Sequence, residues 1–111
     1  MSAGVPEIHV LDLKARLDEG DAPVMVDVRE AFERAIADLP EWGQRHMPMA
    51  AVPQRFHELP RDAEIVVYCR SGARSASVVQ FLQAQGFEGA VNLAGGVLAW
   101  QEDVDPTLTR Y

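Results

Sequence analysis

The amino-acid sequence predicts an α/β domain with a parallel sheet, from two features of its hydrophobic pattern. Short apolar runs alternate along the chain with longer segments of helical periodicity, which is the order of β-α-β units. The run V-M-V-D-V at 24–28 is apolar on both faces except at Asp27, as expected of a central strand covered on both sides. Ligands of such sheets bind at the carboxyl ends of the strands, so the residues after the strands are the candidates for function.

Apolar spacing and turn residues place the individual elements. Short strands are predicted over the apolar segments 7–10, 24–28, 65–68 and 90–93. Helices are predicted where apolar residues recur at helical spacing: 12–20, 31–37, 52–59, 75–85 and around Trp100. Asp12 is expected to cap the first helix, and Gly86 is expected to end the helix over 75–85 in a left-handed conformation.

The composition fits one domain with one hydrophobic core. The chain has 111 residues, 48% of them hydrophobic, and we expect a core over about 6–102 and a loose tail over 103–111. No apolar run approaches the length of a membrane span, and the N-terminal residues lack the pattern of a signal peptide. The net charge of −7 argues against general binding to nucleic acid.

Cys69 is the only cysteine of the chain. It can form neither an internal disulfide nor a zinc site built from cysteine pairs, and it suits the reducing cytoplasm, where we expect the protein to be located. The histidines His9, His46 and His57 are expected to be structural or exposed, and no second histidine follows His46 at helical spacing. The sequence therefore predicts no metal and no organic cofactor.

The stretch that carries chemistry is I-V-V-Y-C-R-S-G-A-R-S-A at 65–76, which is typical of a buried strand, a short loop and the start of a helix. Cys69 then lies at the carboxyl end of the strand and in front of a helix N-terminus. The backbone N–H groups of the loop can surround the sulfur, and Gly72 allows the positive φ that such a curl needs. Helix N-termini and cations favour the nucleophilic thiolate, and Arg70 and Arg74 supply the cations. An inert buried cysteine would leave these arginines unexplained.

The loop C-R-S-G-A-R-S after an apolar strand resembles the active-site loop of rhodanese-like sulfurtransferases. The stretches V-D-V-R-E at 26–30 and L-A-G-G-V-L-A-W at 93–100 resemble two further motifs of this family, in the family's order and at about its usual spacing. The resemblance spans most of the chain. It implies a single rhodanese-like domain, with a five-stranded parallel sheet flanked by helices on both faces.

The resemblance also implies a two-step sulfur transfer. The Cys69 thiolate attacks the outer sulfur of a donor such as thiosulfate and carries it as a persulfide, which cyanide or a thiol then removes. The residues expected to bind the donor are those of the loop: Arg70, Ser71, Gly72, Ala73, Arg74 and Ser75. The arginines suit the sulfonate oxygens of thiosulfate. The expected partners are a small sulfur donor and a thiol or sulfur-carrier protein as acceptor, with no nucleic acid and no membrane.

Two other parts of the sequence are expected to support the site or to depart from the family. Asp27 and Arg29 are expected to support the fold around the site, because a short acidic side chain at a strand end commonly bonds to the backbone or holds an arginine. Segment 39–53 departs from the family pattern, since it lacks the usual glycine and histidine before its proline. We expect 46–48 to form a short strand, and Trp42, Met47 and Met49 to pack in the core or line the pocket.

Two alternative functions remain open. A cysteine-dependent phosphatase typically has five residues between its cysteine and its arginine, whereas four residues, 70–73, separate Cys69 from Arg74. No aspartate stands in an obvious position as the general acid. The other alternative is a docking module that uses the fold without turnover, for which the atypical segment 39–53 is the only support.

Overall fold

A computed structural model of the protein describes residues 5–111, in which five parallel strands form one sheet. The strands are Glu7–Ile8 (β1), Val24–Asp27 (β2), Arg45–His46 (β3), Ile65–Tyr68 (β4) and Ala90–Leu93 (β5). Their order across the sheet is β1-β5-β4-β2-β3, and every neighbouring pair is parallel. The parallel sheet predicted from the sequence is confirmed, and β4, which leads into Cys69, is its central strand.

Helices connect the strands and cover the sheet. They are Val10–Asp18 (α1), Ala31–Ile36 (α2), Val52–Arg55 (α3), Ala73–Ala84 (α4) and Gly96–Asp103 (α5). Short 3-10 turns over Met49–Ala51 and Phe56–Glu58 flank α3, so the helix predicted over 52–59 is only partly α-helical. Within residues 5–111, no helix is both long enough and apolar enough to span a membrane. The prediction about a signal peptide concerns N-terminal residues of which 1–4 lie outside the described part.

The strand β4 shows why the sequence is apolar at consecutive positions. Ile65 and Val67 face one side of the sheet, Val66 and Tyr68 face the other, and all four have no exposed surface. The first side is covered by α3 and α4, and the second side by α1 and α5. A strand between two helical layers has no polar face, which explains the continuous apolar run.

Two helix starts differ from their predicted positions. The first helix is capped by His9, whose Nδ1 accepts the N–H of Leu11 at 3.2 Å, and Asp12 lies in its first turn. The helix α4 begins at Ala73 because Gly72, with φ of +99°, already turns the chain and serves as the N-cap. Several polar residues near a helix start can serve as the cap, so the prediction of the cap from local sequence was wrong by a few positions.

The segment 103–111 was predicted to be loose, and this prediction is wrong. Three apolar side chains of this segment lie against the core cluster beneath α1 and α5: Val104, Leu108 and Tyr111. Gln101 Nε2 donates to the carbonyl oxygen of Thr109 at 2.6 Å, and Arg29 Nη1 donates to the Tyr111 hydroxyl at 2.7 Å. These few apolar residues are enough to hold the segment on the domain, because all three of them pack against the same core cluster.

Candidate active site

The sulfur of Cys69 lies in a cradle of hydrogen-bond donors at the N-terminus of α4. The N–H of Gly72 is 3.1 Å from Sγ, the N–H of Ser75 is 3.4 Å away, and the Ser75 hydroxyl is 3.3 Å away. Cys69 has no exposed surface. Backbone N–H groups and the positive end of a helix stabilise an anion, so this cradle suits a sulfur that becomes negatively charged.

Gly72 allows the loop to close around the sulfur. Its φ of +99° is in the left-handed region, which side-chain-bearing residues rarely adopt. A Cβ at this position would lie 3.2 Å from the backbone nitrogen of Gly95. The glycine predicted from the loop motif is therefore needed both for the turn and for the close approach of the chain after β5.

The N-terminus of α5 supports the same loop from below. The N–H groups of Val97 and Leu98 donate to the carbonyl oxygens of Cys69 and Arg70, each at 2.9 Å. Gly96 permits this contact, since a Cβ there would lie 2.7 Å from the Arg70 carbonyl oxygen and closer still to that of Cys69. The motif L-A-G-G therefore acts on the site by packing backbone against backbone.

Asn92 on β5 completes the cradle, and the sequence interpretation did not single it out. Its side chain is buried, its Oδ1 accepts the Ser75 hydroxyl at 2.5 Å, and its Nδ2 donates to the Gly72 carbonyl at 3.1 Å. The available signal was a polar amide within an otherwise apolar strand, two residues before the turn at Gly95 begins. Such an amide has to be hydrogen-bonded when it is buried.

Arg74 is paired with Glu33 rather than directed at a free ligand position. Its Nη1 and Nη2 each bond one carboxylate oxygen of Glu33 at 2.8 Å. These hydrogen bonds lower the pKa of Glu33 to about 2, although burial opposes the shift, and the N–H of Glu30 contributes further. Glu33, which the sequence did not indicate, therefore balances the charge of Arg74.

Arg70 is the arginine of the loop that keeps an unpaired guanidinium. Its Cζ lies 5.1 Å from the centroid of the Tyr111 ring, within the range of a cation–π contact. Its Nε is buried without a partner, and the Arg70 side chain makes no hydrogen bond or ion pair within residues 5–111. A charged side chain without a hydrogen-bond partner, on the residue that follows Cys69, is available to an anion.

Asp27 and Arg29 form a buried ion pair at the end of β2. Both side chains have no exposed surface, and Asp27 Oδ1 and Oδ2 accept from Arg29 Nε at 3.0 Å and Nη2 at 2.9 Å. The remaining N–H groups of Arg29 reach the Ala37 carbonyl, Asp38 and Tyr111 at 2.7–2.9 Å. Burial disfavours the charge of Arg29, but its hydrogen bonds to Asp27 and Tyr111 outweigh that effect and raise the pKa. No guanidinium N–H of Arg29 is left for a ligand.

The atypical segment 39–53 contributes buried side chains to the core and an edge strand to the sheet. It contains the short strand β3, but at Arg45–His46 and not at 46–48 as expected. His46 Nε2 bonds the carbonyl oxygen of Arg29 at 2.7 Å, so this histidine is structural. Trp42 packs edge to face on Trp100 with ring centroids 5.6 Å apart, and Met47 is buried. Met49 is 42% exposed and lies outside the core.

Not every loop residue faces the sulfur. Ser71 and Ala73 line a cavity of about 440 Å³ beside the loop, together with Gly72, Asn92 and Gly95. The Ser71 hydroxyl makes no hydrogen bond to Sγ, whereas that of Ser75 does. In the part of the chain that the structure describes, no group of three or more His, Cys, Asp and Glu side chains is placed to hold a metal ion.

Comparison with known proteins matches residues 9–103 to the rhodanese-like domain family. A sulfurtransferase from Allochromatium vinosum is 40% identical over 96 residues, which cover 86% of this chain and 88% of that protein. YtwF, a putative sulfurtransferase of Bacillus subtilis, is 35% identical over 102 residues, which cover 92% and 96%. A solved rhodanese-like domain protein from Staphylococcus aureus has a TM-score of 0.79 at 32% identity, over 96% of this chain and 98% of that one.

Proposed function

The chain belongs to the rhodanese-like domain family, and from this premise we propose that it moves a sulfane sulfur from a donor such as thiosulfate to a thiophilic acceptor through a persulfide on Cys69. Two of its relatives are named as a sulfurtransferase and a putative sulfurtransferase, which supports a transferase activity for this chain. The observation that carries the persulfide is the convergence of the Gly72 N–H, the Ser75 N–H and the Ser75 hydroxyl on Sγ.

The first step is a displacement at sulfur. The thiolate of Cys69 attacks the outer sulfur of thiosulfate, a new S–S bond forms, and the bond between the two donor sulfurs breaks. Sulfite leaves with the electron pair of that bond. The persulfide left on Cys69 is an anion, and the donors of the cradle stabilise it as they stabilise the thiolate.

The second step returns the cysteine to its starting form. A nucleophile attacks the outer sulfur of the persulfide, takes it, and the thiolate of Cys69 leaves. Cyanide then becomes thiocyanate, and a thiol of a small molecule or of a sulfur-carrier protein becomes a persulfide. A cysteine that cycles between these forms has to stay free of disulfides, so we propose that the protein works in the reducing cytoplasm.

We assign the anionic end of the donor to Arg70. Its guanidinium has no hydrogen-bond partner, whereas Arg74 has both terminal nitrogens on Glu33. A forked guanidinium suits the oxygens of a sulfonate. Because Cys69 has no exposed surface, neighbouring groups have to move before the donor reaches Sγ, and we expect Arg70, which packs on the Tyr111 ring, to be one of them.

The test is intact mass spectrometry after incubation with thiosulfate, with Cys69→Ser as the matched control. We expect the protein to gain the mass of one sulfur atom, to lose it on addition of cyanide, and to release thiocyanate in proportion. The serine variant should gain nothing. Absence of the added sulfur in a folded protein whose thiol still reacts with iodoacetamide would overturn the proposal.

A further inference from the structure

Asn92 makes two hydrogen bonds whose directions are fixed by chemistry. Its side chain lies between the Gly72 carbonyl, 3.1 Å from Nδ2, and the Ser75 hydroxyl, 2.5 Å from Oδ1. A carbonyl oxygen only accepts hydrogen bonds, so the amide nitrogen has to face Gly72. The amide oxygen of Asn92 therefore faces Ser75, and this oxygen also only accepts.

The Ser75 hydroxyl has one proton and two neighbours. Its Oγ lies 2.5 Å from Asn92 Oδ1 and 3.3 Å from Cys69 Sγ. Because Asn92 Oδ1 cannot donate, the proton of the hydroxyl points to Asn92, and its lone pairs face the sulfur. A neutral thiol fits this arrangement, since its S–H can donate to Ser75. A thiolate or a persulfide anion fits it less well, because the hydroxyl then turns its lone pairs, and not its proton, toward the anion.

We propose that Asn92 is a positioning residue that holds the Ser75 proton away from Cys69 while the sulfur is a thiol and gives it up when the sulfur becomes an anion. This inference rests on the proposed function, because it takes Cys69 as the nucleophile. In the anionic form the hydroxyl rotates toward Sγ, and the buried Oδ1 of Asn92 loses its partner. That loss opposes part of the stabilisation that Ser75 gives to the anion.

The cradle therefore contains two fixed donors and one that changes direction. The N–H groups of Gly72 and Ser75 face Sγ in every charge state, whereas the Ser75 hydroxyl is shared with Asn92. A thiolate that is stabilised too strongly is a weaker nucleophile. Competition from Asn92 keeps the thiolate reactive and leaves the hydroxyl available to the persulfide.

The experiment measures the rate of iodoacetamide alkylation of Cys69 against pH for the wild type and Asn92→Leu, which keeps the branching of the side chain and removes the acceptor. We expect the midpoint of the profile to fall by about 0.5–1 pH unit, as for one hydrogen bond gained by an anion. The limiting rate at high pH should fall roughly two- to threefold, because the stabilised thiolate is less nucleophilic. A midpoint that stays in place or rises would overturn the proposal.

A second background separates this role from simple support of the loop. In Ser75→Ala the hydroxyl is absent, so adding Asn92→Leu should leave the midpoint of the Ser75→Ala profile unchanged. An equal shift in both backgrounds would mean that Asn92 acts through the Gly72 carbonyl, which contradicts the proposal. Asn92→Ala, which leaves room for water at that carbonyl, is the variant to use if Asn92→Leu does not fold. Alkylation needs no sulfur donor, so its result is independent of the persulfide test.

Discussion

The carboxyl ends of β2 and β4 are neighbours in the sheet, but their charged groups differ in whether they are paired. After β2, Arg29 has every guanidinium N–H on a partner, in what we call the arginine cluster: Asp27, Arg29, Asp38 and Tyr111. After β4, in what we call the sulfur loop, 69–75, neutral N–H groups surround a thiol, and Arg70 keeps a nitrogen without a partner.

The difference indicates that, at one edge of the sheet, the residues after β2 stabilise the fold and the residues after β4 are available to a ligand. A buried charge whose hydrogen bonds are all made holds the chain in place and offers nothing to a ligand. The sulfur loop, in contrast, contains hydrogen-bond donors without an anionic partner, and these donors are available to an anionic substrate. Side chains join the regions at Glu33 and Tyr111. The Glu33 carboxylate pairs with Arg74, and its carbonyl oxygen accepts from Arg29 Nη1 at 3.4 Å. The Tyr111 ring packs on Arg70, and its hydroxyl bonds Arg29.

The largest effect should come from breaking the arginine cluster. Arg29→Met leaves the buried carboxylate of Asp27 without its partner, and we expect it to lower the free energy of unfolding by about 3–5 kcal/mol. Urea denaturation at neutral pH measures the change. Cys69→Ser, at the end of the neighbouring strand, should lower it by less than about 1.5 kcal/mol. Similar losses in the two variants would remove the distinction between the two regions.

The backbone contact beneath the sulfur loop should be the next most sensitive. Gly96→Ala forces a Cβ toward the carbonyl oxygens of Cys69 and Arg70 at a φ of +57°, and we expect a loss of about 2–4 kcal/mol in the free energy of unfolding. Gly43→Ala is the control, because Gly43 also has a positive φ but nothing lies within 4 Å of its added Cβ. The control should lose about 1 kcal/mol. Equal losses would show that only φ matters.

The link through Glu33 should appear as a pH dependence. Its pKa is lowered to about 2 in the folded protein, so its stabilisation is fully present above about pH 4.5 and is lost as the pH falls toward 2. Arg74→Gln should lower the free energy of unfolding by about 1–2 kcal/mol near pH 6, since the partly exposed Arg74 is screened by water. The difference from the wild type should shrink toward pH 2.

Thermal unfolding followed from about pH 6 to about pH 2.5 measures this effect. The matched control is Arg55→Gln, which removes the exposed pair with Glu58 and should leave the unfolding temperature unchanged at each pH. A constant difference between Arg74→Gln and the wild type across this range would show that the Glu33–Arg74 pair does not titrate as we expect.

The smallest effect concerns the two arginines of the sulfur loop. We expect Arg70→Ala to lower kcat/KM for thiosulfate by about tenfold relative to an uncharged alkyl persulfide donor, because an anion loses one charged hydrogen bond. Arg74→Ala should lower the same ratio by less than about threefold, since Glu33 already balances its charge. If each variant loses activity equally with both donors, neither arginine binds the sulfonate.

Much of the site was predictable because it is built from neighbours in sequence. An apolar run that ends in Cys69, a glycine three residues on and an amphipathic helix specify a strand, a turn and a helix by local rules. The buried strands could be read in the same way, since a strand between two helical layers has no polar positions. The cap at His9 was missed, because aspartate is a preferred N-cap residue and histidine is not.

The partners of the polar side chains were decided by the tertiary structure. Glu33 and Arg74 are 41 residues apart, and Ser75 and Asn92 are 17 apart, so no local pattern connects them. Tyr111 reaches Arg29 across 82 residues, which is why a segment with few apolar residues was predicted to be loose. By itself the sequence predicted which backbone forms the cradle and which atom we propose as the nucleophile. Which arginine stays unpaired, and where the Ser75 proton points, depend on long-range hydrogen bonds that exist only after the sheet has brought the strand ends together.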